Sequence, residues 1–212
     1  MNLIIFGPQG SGKGTQAEKL SEKFNLSHIE TGQIFRDIAR ENSSLGNTIK
    51  AYNERKEMIP DEITIDVLQH YLRQVPIEKG VILDSAPRTI GQINPVEKMM
   101  NENGRPIKKA IYITLSYAES VARITKRYMC LSCLEHVVLG KHINSASDAC
   151  PNCGGQIAQR GDDTPDGIAK RLETFYEVTV PVIKQYQEKG ILIEVNGGQN
   201  VEAVFAEIIS KL

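Results

Sequence analysis

The segment Gly7-Pro8-Gln9-Gly10-Ser11-Gly12-Lys13-Gly14-Thr15, set directly behind the apolar run Leu3-Ile4-Ile5-Phe6, constrains this chain more than any other. A short apolar run, a glycine-rich loop and a helix-forming stretch read as strand, tight turn and helix N-terminus. Glycines let the backbone N–H groups of the turn point inward, and the helix dipole adds positive charge there. Such a loop takes phosphate oxygens, and Lys13 adds a point charge for the terminal phosphates. The common motif has Ser or Thr directly after the lysine. Here Gly14 intervenes, so Thr15 is assigned to phosphate contact rather than to Mg²⁺.

Similar short apolar runs recur at Val81-Ile82-Leu83, at 110–115 and at 191–195, each followed by a helical segment. Continuous apolar runs separated by helices predict a parallel sheet covered on both faces. With right-handed crossovers this is a doubly wound α/β domain, with ligands at the carboxyl ends of its strands. Two stretches break the alternation. Residues of about 30–60 repeat Ile34, Ile38 and Ala39 at helical spacing without a strong strand, and predict a helical insert ending at Pro60-Asp61-Glu62. Residues of about 128–160 carry all four cysteines and little helical periodicity, and predict a second, small insert.

At 212 residues one core domain with inserts is expected, and the core needs no staples. The charges balance at 25 basic to 26 acidic residues, which gives no reason to expect a nucleic acid or an acidic membrane as partner. No apolar run approaches the roughly 18 residues of a membrane span. Met1 leads straight into the first strand with no secretory pattern, so the cytoplasm is the expected location.

Val81-Ile82-Leu83-Asp84 ends a strand on a carboxylate. Beside a phosphate loop such an Asp holds Mg²⁺, directly or through water, although it could simply cap the next helix. Phosphoryl transfer also needs fixed cations, and the planar fork of Arg binds phosphate at two points. Arg36, Arg88, Arg123, Arg127, Arg160 and Arg171 are the candidates. Arg88 lies just past Asp84. Arg123 and Arg127, four apart, are expected to share a helix face leading into the cysteine insert. Arg160 and Arg171 flank Asp162-Asp163.

Cys130-x2-Cys133 and Cys150-x2-Cys153 are separated by sixteen residues. That spacing suits a tetrahedral structural Zn²⁺ site, with two disulfides or free thiols as the alternatives. Fe²⁺ or Co²⁺ would match the same sulfurs. A metal would staple an insert too small to build its own core.

Taken together, these segments resemble the nucleoside monophosphate kinases, most closely the long, zinc-containing adenylate kinases. The matches are Gly7 to Gln16, Thr31-Gly32 with Arg36, Pro60-Asp61-Glu62, Leu83-Asp84 with Pro87-Arg88-Thr89, Gln92, Gln159-Arg160 with Asp162-Asp163, and Lys170-Arg171-Leu172. The resemblance implies a phosphate-loop NTPase fold and the reaction of MgATP with AMP to give two ADP. It implies a core of 1–29, 61–127 and 161–212, a nucleoside-monophosphate-binding insert over 30–60 and a zinc-binding lid over 128–160. Carried over residue by residue, Gly10, Ser11, Gly12, Lys13, Gly14 and Thr15 would hold ATP with Arg123, Arg127 and Gln199. AMP would be held by Thr31, Gly32, Arg36, Glu57, Met58, Ile59, Ser85, Arg88, Gln92, Arg160 and Arg171. Lys13, Asp84, Arg88, Arg123, Arg160 and Arg171 would form the catalytic set, with Asp162 and Asp163 helping the lid close. The family also implies a monomer that needs Mg²⁺ with ATP and a structural Zn²⁺.

The chain departs from the family pattern in places. Asp84-Ser85-Ala86-Pro87-Arg88 stands where Asp-Gly-Phe-Pro-Arg is usual, Glu30 where Ser is common, and Gln33 where Asp is common. In the lid, His136 to Lys141 replaces a Tyr-His pair followed by Phe-Asn-Pro-Pro-Lys. A kinase for CMP, UMP or GMP is the rival reading, and a nucleotide-binding zinc protein without kinase activity the more distant one.

Overall fold

The computed structural model describes residues 1–212 except Lys56, Leu134, Arg160 and Asp162. The elements run β1 (Asn2–Phe6), α1 (Lys13–Phe24), β2 (Leu26–Glu30), α2 (Thr31–Ile38), α3 (Ser44–Arg55), α4 (Asp61–Gln74), β3 (Gly80–Asp84), α5 (Ile90–Glu102) and β4 (Lys109–Thr114). They continue with α6 (Tyr117–Ile124), β5 (Arg127–Cys130), β6 (His136–Val138), β7 (Ile157–Ala158) and α7 (Pro165–Thr174). A π-helical turn over Phe175–Thr179 leads into α8 (Val180–Glu188), β8 (Leu192–Asn196) and α9 (Val201–Lys211).

Five strands form one parallel sheet in the order β2-β3-β1-β4-β8. Side chains alternate along each strand, so a strand in the middle of a covered sheet must be apolar at every position. β1 meets that condition with all five residues buried. Its Ile4 and Phe6 face the cluster built with Leu68, Leu72, Val96, Met100 and Tyr186, under α4, α5 and α8. Its Leu3 and Ile5 face the opposite cluster with Ala17, Leu20, Val204 and Ile208, under α1 and α9. The chain leaves β1 toward β2 on one side and later returns to β4 on the other, so the strand order reverses at β1. That switch point is where a doubly wound sheet opens a crevice for ligands.

The register aligns the functional end of the sheet. Glu30 of β2 pairs with Asp84 of β3, and Asp84 pairs with Ile5 of β1. The phosphate-loop candidate therefore begins two residues beyond the level of Asp84.

Two features differ from the sequence expectation. β2 is a full member of the sheet, although the apolar pattern gives no strand there. It lies at the sheet's edge, and only Leu26 and Ile29 of its five residues are buried, so Ser27, His28 and Glu30 interrupt the run. Arg127 does not share a helix face with Arg123. α6 ends at Ile124, and Arg127 opens β5, pairing with Val138 of β6. β5 is the centre of a small antiparallel sheet, β6-β5-β7, that surrounds its own cluster of Cys130, Val137, Ile143, Cys150 and Ile157.

Candidate active site

The loop between β1 and α1 is closed by a hydrogen bond from Ser11 N to Pro8 O (3.1 Å). Gly10 and Gly12 both adopt left-handed backbone, with φ of 81° and 86°. Gly10 is also pressed by α6: a Cβ there would lie 3.2 Å from Ser120 O and 3.3 Å from Arg123 Cβ. Arg123 donates from Nη1 to Gly10 O (3.3 Å), which fixes one arginine of the predicted set to the loop. A Cβ at Gly12 or Gly14 would meet no protein atom within 4 Å, so the loop is open on that side. Among the described residues no side chain caps α1, and its first turn carries no acid. The helix end therefore keeps its positive field for an anion. The buried hydroxyl of Ser11 has no hydrogen-bond partner among the described residues, and Thr15 is exposed. Gln199 lies in the turn after β8, its amide donating to Asn196 O and Glu207 Oε2. The neighbouring Gly197 packs on the loop, where a Cβ would come 3.1 Å from Ser11 O.

Asp84 is 1% exposed and caps no helix, because Thr89 fills the N-cap of α5. Its Oδ1 accepts from Ser85 Oγ (2.8 Å), and its Oδ2 lies 3.3 Å from His28 Nε2. Thr31 donates from Oγ1 to its carbonyl (3.1 Å), tying the start of α2 to the end of β3. Burial pushes the Asp84 carboxyl up, but the charge of Lys13 and the bonds to His28 and Ser85 outweigh it and hold the carboxyl below the usual aspartate range. For Lys13, desolvation lowers the pKa, and Asp84 opposes the shift. The two residues thus stabilise each other's charges where the loop meets the sheet.

Ser85 carries φ 65°, the left-handed region that the family's usual glycine enters without cost. A side chain there costs about 1–2 kcal/mol. The hydrogen bond from Ser85 Oγ to Asp84 offsets part of it. Ala86 is fully buried, so the core has closed over the position where a large aromatic is usual.

Arg88 is anchored rather than loose. Its Nε donates to Ser85 O (3.0 Å) and its backbone N to Gln92 Oε1 (2.7 Å). Gln92 Nε2 donates to Asp61 Oδ1 (2.7 Å), and Thr89 Oγ1 donates to Asp61 Oδ2 (2.8 Å). Desolvation lowers the Arg88 pKa, against the pull of Asp84 and Glu30. Arg36, in the last turn of α2, approaches the same place: a Cβ on Gly32 would lie 3.3 Å from Arg36 Nη1 and 3.8 Å from Arg88 Nη2. Glu57, Met58 and Ile59 run between α3 and α4, where Ile59 packs on the cluster of Ile34 and Ile38 and Glu57 pairs with Arg55.

Asp163 joins two more predicted arginines. Arg127 donates to it from Nη2 and Nε (2.8 and 3.1 Å), and Arg171 from Nη2 (2.6 Å). The Asp163 side chain is wholly buried, and the arginines are 22% and 23% exposed. Arg160 and Asp162 lie outside the described residues.

The four cysteine sulfurs lie within 4.8 Å of one another, with Cys130–Cys153 at 3.5 Å and Cys133–Cys150 at 3.7 Å. These separations are too long for S–S bonds and close to the ~3.8 Å edge of a tetrahedron with ~2.3 Å metal–sulfur bonds. Backbone N–H groups of Cys133 and Ser132 point at Cys130 Sγ and draw its pKa down to about 6. Cys153 moves the other way, up to about 12: an N–H of Gly155 lowers it, but the neighbouring thiols prevail. Four thiols cannot all ionise side by side unless a cation joins them. His136 and His142 are exposed.

Sequence reading gave no role to His28 and Asp61, which hold Asp84 and the Arg88–Gln92 pair. His28 sits on the unrecognised strand β2. Asp61 belongs to a matched segment, but its function depends on a partner 31 residues away in sequence.

The chain matches the sequence profile described as adenylate kinase over residues 5–191. It is 38% identical over 208 residues to an adenylate kinase of Geobacillus sp. (strain WCH70), covering 98% of this chain and 96% of the relative. It is 36% identical to one from Methanosarcina acetivorans, with the same coverage, and 37% identical over 210 residues to one from Archaeoglobus fulgidus, covering 98% and 96%. The chain belongs to the adenylate kinase family.

The Asp163 cluster generates a prediction. Asp163→Ala removes the wholly buried carboxylate to which Arg127 and Arg171 both donate, and should lower unfolding stability by about 1–3 kcal/mol. Chemical denaturation measures this; an unchanged midpoint contradicts the assigned role.

Proposed function

We propose that this adenylate kinase family member works through one polyphosphate-binding groove across the carboxyl ends of β1 and β3. The reaction is reversible transfer of the terminal phosphoryl group of ATP to AMP, giving two ADP. The observation that carries the reading is the convergence of the loop, Lys13 and Asp84 with Arg36 and Arg88 across one sheet end. An acceptor phosphate oxygen attacks the terminal phosphorus as the bond to the leaving diphosphate oxygen breaks. No covalent enzyme intermediate is needed, because positioning and charge supply the catalysis.

In this reading Gly10 to Thr15, Arg123, Arg127 and Gln199 bind ATP. Thr31, Gly32, Arg36, Glu57 to Ile59, Ser85, Arg88 and Gln92 bind AMP, with Arg160 and Arg171. Lys13, Arg88, Arg123, Arg160 and Arg171 neutralise the charge that spreads over the transferring group. Residues 1–29, 61–127 and 161–212 form the core, 30–60 the acceptor insert and 128–160 a lid. Asp162 and Asp163 guide the lid's closure, which excludes water as a competing acceptor.

The family implies Mg²⁺ with ATP, and the Asp84 carboxylate suits it: Lys13 favours its ionised form, and among the described residues Oδ1 and Oδ2 each face one side-chain partner. Being almost wholly buried, Asp84 would hold the ion through water. When bound, the ion would neutralise charge on the phosphate oxygens. The four sulfurs suit Zn²⁺ in a closed, structural role, with no position left for a reacting ligand. The chain acts as a cytoplasmic monomer without nucleic-acid or membrane partners. The balanced charge gives no basic excess for a nucleic acid, among the described residues no helix is long and apolar enough to cross a membrane, and the monomer is carried over from the family. The Ser85-Ala86 replacement favours a second reading, in which another monophosphate is the preferred acceptor.

Product analysis separates the readings. With MgATP and, in turn, AMP, dAMP, CMP, UMP and GMP, ion exchange should resolve ADP formed fastest with AMP. A preference for CMP, UMP or GMP, or ATP hydrolysis with no diphosphate from any acceptor, overturns the AMP assignment. The purified protein should also carry about one zinc per chain, and chelation should lower its melting temperature by about 5 °C. A metal-free protein with an unchanged melting temperature contradicts the zinc assignment.

A further inference from the structure

Glu30 closes β2 and occupies the N-cap position of α2. An N-cap residue normally offers a short side-chain oxygen to the first-turn N–H groups. Glu30 makes no such bond; its carboxylate turns instead to Arg36, with Oε1 3.0 Å from Nη2. Gln33 Oε1 accepts from the same guanidinium at 2.7 and 3.1 Å. The Gln33 amide is oriented by Asp37, to which its Nε2 donates at 2.8 Å. Arg36 thus meets both a neutral oxygen, of Gln33, and a charged one, of Glu30.

The place of this grip matters. Arg36 Nη1 and Arg88 Nη2 converge on Gly32, at the start of α2. The negative charge of Glu30 also reaches Arg88 and Lys13, favouring the protonated form of both. Glu30 and Asp84 both act on Arg88 and Lys13, and the strand register places the two carboxylates side by side. Asp84 is buried, whereas the Glu30 side chain is 40% exposed and Arg36 is 29% exposed. An ion pair that water can reach is weak enough to be exchanged.

We propose that Glu30 is an internal anion of the acceptor site, which holds Arg36 until the phosphate of the incoming nucleotide displaces it. The inference rests on the assignment of Arg36 and Arg88 to AMP. An arriving phosphate must break the Glu30–Arg36 pair before it can use the guanidinium fork, and it is repelled by the same carboxylate. Serine, common in the family at this position, would impose neither penalty. Glu30 therefore sets the acceptor's affinity through Arg36, and reaches the ATP side only through a charge effect on Lys13 that is weaker than that of Asp84.

Steady-state kinetics of Glu30→Gln and Glu30→Ser test this. Glutamine keeps the length and the acceptor oxygen but removes the charge. Both variants should lower KM for AMP by about threefold to tenfold, with KM for MgATP moving by less than about twofold. The inhibition constant of inorganic phosphate competing with AMP should fall in parallel. A KM for AMP that is unchanged overturns the proposal; one that rises shows that Glu30 positions Arg36 for the phosphate, and overturns it too. Arg36→Ala checks the underlying assignment separately, and should raise KM for AMP at least about tenfold. If Arg36→Ala has no effect, the AMP-site reading fails. If it has the expected effect while the Glu30 variants do not, the inference about Glu30 alone fails.

Discussion

Placing Asp84 almost wholly out of water, at the carboxyl end of a central strand, commits the surrounding structure to supplying its counter-charge. An unpaired buried carboxylate would cost several kcal/mol or would take up a proton. Here Lys13, His28 and Ser85 keep it ionised. Each comes from a different segment. Lys13 is delivered by the loop after β1, His28 by β2, and Ser85 by the left-handed turn after β3. The loop, the edge strand and the turn are therefore pinned to one another through a single charge. Thr31 adds the start of α2 through the Asp84 carbonyl.

Around that centre the arginines are held in a common way. Arg36 meets Glu30, and Arg127 and Arg171 share Asp163. Arg88 is tied to the backbone of its own turn and, through Gln92, to Asp61. Guanidinium groups left to roam would have to be ordered when a phosphate arrives, with loss of side-chain entropy. Groups already held by carboxylates are pre-positioned, and in the proposed function the phosphate would compete for them rather than collect them. The cysteine cluster serves the same economy of order on a smaller scale. Cys130, Val137, Ile143, Cys150 and Ile157 form a core too small to hold three short strands by apolar burial alone.

Much of this was legible in the sequence because the signals are local. β1, β3 and β4 are apolar runs since covered strands admit little else, and β8, an edge strand with Glu194 and Asn196 exposed, still shows as the run Ile191-Leu192-Ile193 with Val195. The loop is recognisable since its glycines, lysine and helix must occur in order. The cysteine spacing anticipates the cluster of four sulfurs. What was not legible depends on contacts between distant segments. β2 is hidden because an edge strand buries only Leu26 and Ile29, and with it went His28. Arg127 looked helical by its distance from Arg123, but pairing with Val138 makes it a strand residue. Asp61 is an acid in the first turn of α4, where such residues are common, and only the fold brings it to Gln92. The Ser85 replacement was visible as a departure, but its φ of 65° was not.

In the proposed function the buried Asp84 charge organises phosphoryl transfer and does not merely hold the strands. Asp84→Asn keeps the shape and removes the charge, so the direct measurement is its turnover with saturating MgATP and AMP. Circular dichroism reports the fold and calorimetry the AMP affinity of the same sample. The expected result is a loss of about a hundredfold or more in kcat, with the fold kept and AMP still bound. A folded, AMP-binding variant with turnover within about threefold of the parent would contradict it.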